Sequence, residues 1–165
     1  MPTADRLAVA PSAADHPAVD RPAVDQLAID RLAVDLLART GYGRAATSMR
    51  ALPFLALARH IVVDGRVLLR MPRNCGYHRA CVGSVVAYGA DNLGSAGPGE
   101  SLWSVQVVGE CTAHDPTPAE IARFGPAPGR VDGEPYEPVY LSIDPQFGTV
   151  HSIDDGLESH FEHIP

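Results

Sequence analysis

Two sets of side chains stand close enough along this 165-residue chain to act together. Arg70, Arg73 and Arg79 are local basic spots in a chain of net charge −7. Guanidinium groups hold anions, or pair with the acids that surround them. Cys75, His78 and Cys81 follow a C-x2-H-x2-C spacing, with Cys111 and His114 as a separate C-x2-H pair. Structural zinc draws on these residue types but takes four ligands, usually from two paired knuckles, and no second pair completes this one. Incidental or buried thiols are the simpler reading, and no metal is assigned. His160 and His163 lack an acidic frame and read as part of a solvated tail. No Ser-His-Asp order, phosphate-binding Gly loop or paired-carboxylate motif stands out, so no catalytic residue is assigned.

Composition narrows the class. Fifteen Pro and fifteen Gly with few aromatics suit a turn-rich β domain better than a helical bundle. The acidic balance argues against nucleic acid or an anionic membrane surface as partner. Asp5, Asp15 and Asp20 interrupt what a signal peptide would need, and no apolar run approaches the ~20 residues of a membrane span. Three cysteines, an odd number, then point to free thiols and a cytoplasmic setting.

Positioning falls to the stretch from Gly43 to Met71. Val62-Val63-Asp64-Gly65-Arg66-Val67 sets an Asp-Gly turn between apolar β-branched runs, a tight-hairpin signal. Arg44 to Ser48 reads as the strand before it, and Leu52 to Val63 as a long second strand. Upstream, residues 15–35 carry a five-residue repeat (DHPAV, DRPAV, DQLAI, DRLAV), a period that suits neither helix nor strand. Residues 1–23 are therefore expected to be an unstructured extension, residues 24–153 the folded domain and residues 154–165 a tail. The last repeats turn helical: Ile29, Leu32, Ala33, Leu36 and Leu37 share a face, Asp25 can cap, Arg31 and Asp35 can pair, and Gly41 can stop the helix.

Beyond Met71, Pro72 to Gly83 reads as a loop with one helical turn and Ser84 to Tyr88 as a short strand. Asp91 to Glu100 is a polar Gly/Pro loop. Leu102 to Ala113 alternates, with Trp103, Val105, Val107 and Cys111 on one face and Ser104, Gln106 and Glu110 on the other. Thr117-Pro118-Ala119-Glu120 is a capping-box start for a short helix ending near Phe124. The segment on to Pro138 reads as loop. Val139–Ile143 and Phe147–Ser152 then read as a closing hairpin across Asp144-Pro145-Gln146. The sum is a mainly β protein, a six- to seven-stranded antiparallel barrel with a leading helix and one short inserted helix.

The order and spacing of these pieces resemble the pyridoxamine 5′-phosphate oxidase-like split-barrel flavoproteins, in particular the nitroimidazole-resistance-type small bacterial branch. The matching pieces are Leu36-Leu37 with Gly43-Arg44, Ala51-Leu52-Pro53, Val62-Val63-Asp64-Gly65, Leu69-Arg70 and Val86-Ala87-Tyr88 leading to Asp91. Trp103-Ser104-Val105-Gln106-Val107-Val108-Gly109 and Val139-Tyr140-Leu141-Ser142-Ile143-Asp144-Pro145 complete them. The resemblance implies an FMN-binding split barrel and a homodimer with two FMN molecules at the subunit interface. It further implies an oxidoreductase passing electrons between a small reductant and a small-molecule substrate. Some branches hold F420 or haem instead, and a flavin-free, non-catalytic dimeric module is the alternative of another class. Pyridoxamine phosphate is not the expected substrate, since the longer oxidase's C-terminal substrate motif is not visible. By position the cofactor contacts implied are Arg59, His60, Arg70, Met71, the loop bearing Arg73, Tyr77 and Arg79, and the strand bearing Trp103 and Ser104. Arg70, Arg73 and Arg79 would supply the phosphate's cation, His60 and Ser104 polar contacts, and Trp103 or Tyr77 cover for the ring. Met71 stands where relatives often carry Thr, and Gly76 where many carry a phosphate-binding Lys, which leaves that charge to Arg73 or Arg79.

Overall fold

A computed structural model describes residues 26–153. The expectations for the N-terminal extension (residues 1–23), the Asp25 cap and the C-terminal tail lie outside the described residues. Helix α1 (Gln26–Leu37) leads into strands β1 (Tyr42–Met49), β2 (Leu52–Val63) and β3 (Arg66–Pro72). A 3-10 turn (Arg73–Cys75) and the one-turn helix α2 (His78–Cys81) precede β4 (Ser84–Asp91) and β5 (Leu102–Ala113). Helix α3 (Pro118–Phe124), a two-stranded ribbon of β6 (Arg130–Val131) and β7 (Glu134–Pro135), and the long β8 (Pro138–Ile153) complete the chain. The six long strands close an antiparallel barrel in the order β1-β2-β3-β8-β5-β4. Among the described residues no helix is long and apolar enough to cross a membrane.

The Asp-Gly turn forms as its residue types require: Asp64 and Gly65 both take positive φ, at 50° and 76°. The alternation of β5 also holds, with Val105, Val107 and Cys111 buried and Gln106 and Glu110 exposed. They join Val67, Leu69, Met71, Val86, Tyr88, Leu141 and Ile143 in the main core. A fully buried aliphatic side chain of this kind contributes roughly 1.5–3 kcal/mol. Thr117 and Glu120 form the expected capping box, and Glu120 also meets His114 at 3.0 Å. The Thr117 amide, followed by His114, holds the Glu120 carboxyl below the usual range.

Several expectations need correction. The proposed closing hairpin is one continuous strand, β8, which pairs with β3 through its first half and with β5 along its length. Asp144-Pro145-Gln146 is not a turn: the register shifts at Val108/Gly109, where Pro145 lies opposite Gly109 and Phe147 opposite Val108. Such a bulge accommodates a proline, which has no N–H to give to the ladder. Strand β4 runs three residues past Tyr88, and the supposed loop before Pro138 contains the β6–β7 ribbon.

Leu32 is 45% exposed, whereas Ala33, Leu36 and Leu37 are buried. Helix α1 lies close over Gly148, where an added Cβ would come 2.9 Å from the Ala33 Cβ. Only a narrow stripe of the helix therefore meets the barrel. Among the described residues the only ion pair is His114–Glu120, so Arg31 and Asp35 do not pair. Asp30 does the anchoring instead, its Oδ1 accepting from the Gly148 amide (2.7 Å) and from Gln26 Nε2 (2.8 Å).

Candidate functional site

Strand periodicity decides which polar residues leave the core. In the β2–β3 ladder Arg59 pairs with Arg70 and His60 with Leu69. Successive side chains point to opposite faces. The His60–Leu69 pair lies in the interior, and the two arginines stand side by side on the outer wall. The row continues to Tyr42 on β1 and Tyr140 on β8.

Facing cations across a ladder repel, and among the described residues no carboxylate pairs with either arginine. Arg59 Nη1 donates to the carbonyls of Gly41 (2.7 Å) and His60 (2.8 Å), and its guanidinium lies over the Tyr42 ring. Arg70 is 3% exposed beneath the end of α3. Its Nη1 donates to the Gly125 carbonyl (2.7 Å), Nη2 to that of Pro126 (3.3 Å), and the Phe124 ring covers it. Its Nε is buried without a partner. An unpaired buried donor of this kind is costly.

A cavity of about 280 Å³ opens on this row. Its walls include Arg59, Arg70 and Met71, with Tyr42, Tyr77 and Tyr136 as aromatic faces. Arg130, Val131 and Tyr136 come from the β6–β7 ribbon and its flank. Tyr77 is fixed by stacking on Phe54, with centroids 5.0 Å apart. Burial pushes the Tyr136 phenol up, with the nearby Arg70 opposing, so this hydroxyl stays protonated and able to donate. Among the described residues the cavity walls contain no Asp or Glu.

A second groove lies on the other side of the ribbon, lined by Arg73, Asn74, Gly76, Arg79, Glu134 and Glu137. No ion pair joins its arginines to its glutamates. His78, beside both arginines, is kept neutral by burial and by their charge, and its Nδ1 is buried without a partner.

The sequence-derived residues thus divide. Arg59, Arg70, Met71 and Tyr77 border the cavity, and Arg73 and Arg79 the neighbouring groove. His60 borders neither: it is 1% exposed, with Nε2 2.8 Å from the Leu37 carbonyl and Nδ1 2.7 Å from the Tyr88 hydroxyl. A carbonyl only accepts, so Nε2 carries the proton and Tyr88 donates to Nδ1. Ser104 lies in a separate outer groove with Arg44 and His151, and Trp103 packs partly buried against the core. Cys81 and Cys111 are core thiols, pushed up by burial to about 11 and about 12. Among the described residues no three potential metal ligands gather.

Tyr42, Arg130 and Tyr136 were not singled out in the sequence. For the ribbon pair a signal existed: Asp132 and Gly133 take positive φ (49° and 83°) in a turn of the kind formed by Asp64 and Gly65.

No protein-family model and no curated protein matches the sequence. Solved structures do match. A FAD-binding protein from Mycobacterium smegmatis superposes with a TM-score of 0.57 at 21% identity, over 74% of this chain and 95% of that one. A Corynebacterium glutamicum protein provisionally named pyridoxamine 5′-phosphate oxidase gives 0.55 at 19%, over 77% and 91%. A FAD- and haem-binding protein of Mycobacterium smegmatis gives 0.55 at 15%, over 79% and 75%. The chain has the split-barrel fold of the pyridoxamine 5′-phosphate oxidase-like proteins.

Proposed function

We propose that this chain binds a flavin, FMN, and serves as a flavin-dependent oxidoreductase for a small molecule in a reducing compartment such as the cytoplasm. One observation carries the reading. Among the described residues an aromatic cavity without carboxylates, with Arg70 on its wall, adjoins a groove whose two arginines have no acidic partner. A flat ring system with polar edges suits the first, and a phosphate the second. The FAD-binding neighbours named above support the same class of cofactor.

In this reading Tyr42, Tyr77 and Tyr136 shield the ring faces, Arg70 meets an edge oxygen or nitrogen, and Arg73 and Arg79 hold the phosphate. When bound, the flavin supplies hydride or electron transfer between a reductant and the substrate. The chain binds, orients and excludes water, which accounts for the missing acid–base motif.

A homodimer belongs to the same proposal. Leu55, Ala46, Ala87, Val108 and Phe147 lie opposite one another in an unbroken row across β2, β1, β4, β5 and β8. Leu55 is 66% exposed and Phe147 46%. The row winds round five of the six barrel strands, and its β2–β1–β4 part, beginning at Leu55, is the surface offered for association. Leu57, two residues along from Leu55, also lines the cavity, so a second copy on the band would help close it.

The test is to denature the purified protein and weigh what it releases, then titrate FMN into the emptied chain. FMN by mass and at least tenfold weaker binding in Arg73→Ala/Arg79→Ala are expected. A FAD mass would revise the nucleotide, and a haem Soret band or unchanged affinity in the double variant would overturn the assignment.

A further inference from the structure

The β6–β7 ribbon is a partition. Its Arg130 and Val131, with Tyr136 just beyond, line the aromatic cavity, while Glu134, Pro135 and Glu137 line the groove of Arg73 and Arg79. The short ribbon thus puts its acids on one side and its cation on the other. Asp132-Gly133 makes the reversal, and Arg130 Nη1 closes it by donating to the Gly133 carbonyl at 2.7 Å. That bond uses one of five guanidinium N–H groups. The Tyr136 amide ties the ribbon back to the Gly129 carbonyl at 3.1 Å.

Among the described residues three guanidinium groups (Arg59, Arg70 and Arg130) and three tyrosines therefore converge on one cavity with no acid among them, in a chain of net charge −7. Arg59 and Arg70 are already committed to backbone carbonyls, and Arg70 is almost wholly buried. Arg130 is exposed at the rim and carries free donors. Tyr136, whose hydroxyl stays protonated, lines the same cavity.

We infer that the ribbon makes this cavity selective for a flat, conjugated oxyanion, an aromatic or enone carboxylate. Arg130 is its specificity-determining cation and Tyr136 a second donor. In the chain without FMN the tyrosine faces take the apolar body of such a molecule; with the flavin ring on those faces the body stacks on the ring instead, and in both cases Arg130 donates to its carboxylate from the rim. As the substrate class of an oxidoreductase the inference rests on the flavin reading; as an anion site it does not.

Benzoate and its neutral isostere benzamide are the probes. Each is titrated into the full chain loaded with FMN, read by the flavin difference spectrum, and into the chain without FMN, read by tyrosine fluorescence. Benzoate is expected to bind more tightly than benzamide. Arg130→Gln should cost benzoate about tenfold and leave benzamide unchanged, with Arg130→Lys recovering part of the loss. Tyr136→Phe should lower benzoate affinity less. Equal binding of the two probes, no binding of benzoate, or a preference that survives in Arg130→Gln would overturn the inference while leaving FMN uptake standing. A benzoate preference in a chain that never takes up FMN would uphold the anion site and overturn the flavin reading instead.

Discussion

His60 shows how a buried polar side chain can hold a fold together without meeting a ligand. Its ring spans Leu37 at the end of α1 and Tyr88 on β4, so one imidazole joins three elements. Burial, which outweighs the bond to the Leu37 carbonyl, lowers its pKa below the ordinary 6.5. Between that lowered value and about 6.5 the unfolded chain binds more protons than the folded one. The stabilising effect is therefore complete above about pH 6.5 and is lost as the pH falls below it. His78, lowered by burial and by Arg73 and Arg79, acts in the same direction. Melting temperature followed from pH 8 to pH 5 should drop, and His60→Gln, which keeps hydrogen-bonding capacity without titrating, should flatten the slope. An unaltered slope in that variant would assign the pH dependence elsewhere.

Among the elements, β8 bears most of the architecture, since it pairs with both β3 and β5. Its path depends on Gly109, where an added Cβ would collide with the Asp144 backbone carbonyl at the bulge. Backbone on both sides cannot give way cheaply, so Gly109→Ala should cost about 2–3 kcal/mol in urea unfolding. Gly94→Ala, where an added Cβ meets nothing within 4 Å, should cost close to none. Equal effects would mean that the bulge does not constrain the strand.

Much of this level was legible in the residues. The limits of β2, the Asp64-Gly65 turn and the alternation of β5 follow from local pattern, which side-chain sterics enforce within a few residues. The continuity of β8 was not legible, because Pro145 between apolar runs looks like a turn unless the bulge opposite Gly109 is known. That bulge is a product of the β5 partner. The site was legible in part for a similar reason. Arg59 and His60 are neighbours in sequence, and only the strand phase sends one to the cavity wall and the other to the core. The ribbon's contribution was hidden by its length, since β6 and β7 have two residues each.

At the scale of the whole molecule, Leu55 at the β2 end of the apolar row and Leu57 on the cavity wall stand exposed on the outer side of one strand. Leu55→Glu places a charge at the β2 end of that band without touching the core, because Leu55 is exposed. Light scattering should show a dimer for the parent chain and a monomer for this variant, each with an unchanged far-ultraviolet spectrum. The same mass for both would move the contact off the band. Cofactor binding itself is tested most directly by adding the purified, cofactor-stripped chain to FMN and following flavin fluorescence. Stacking against Tyr42, Tyr77 and Tyr136 should quench it saturably at one FMN per chain. Fluorescence that stays at the level of free FMN with the chain in excess would contradict a flavin site in this cavity.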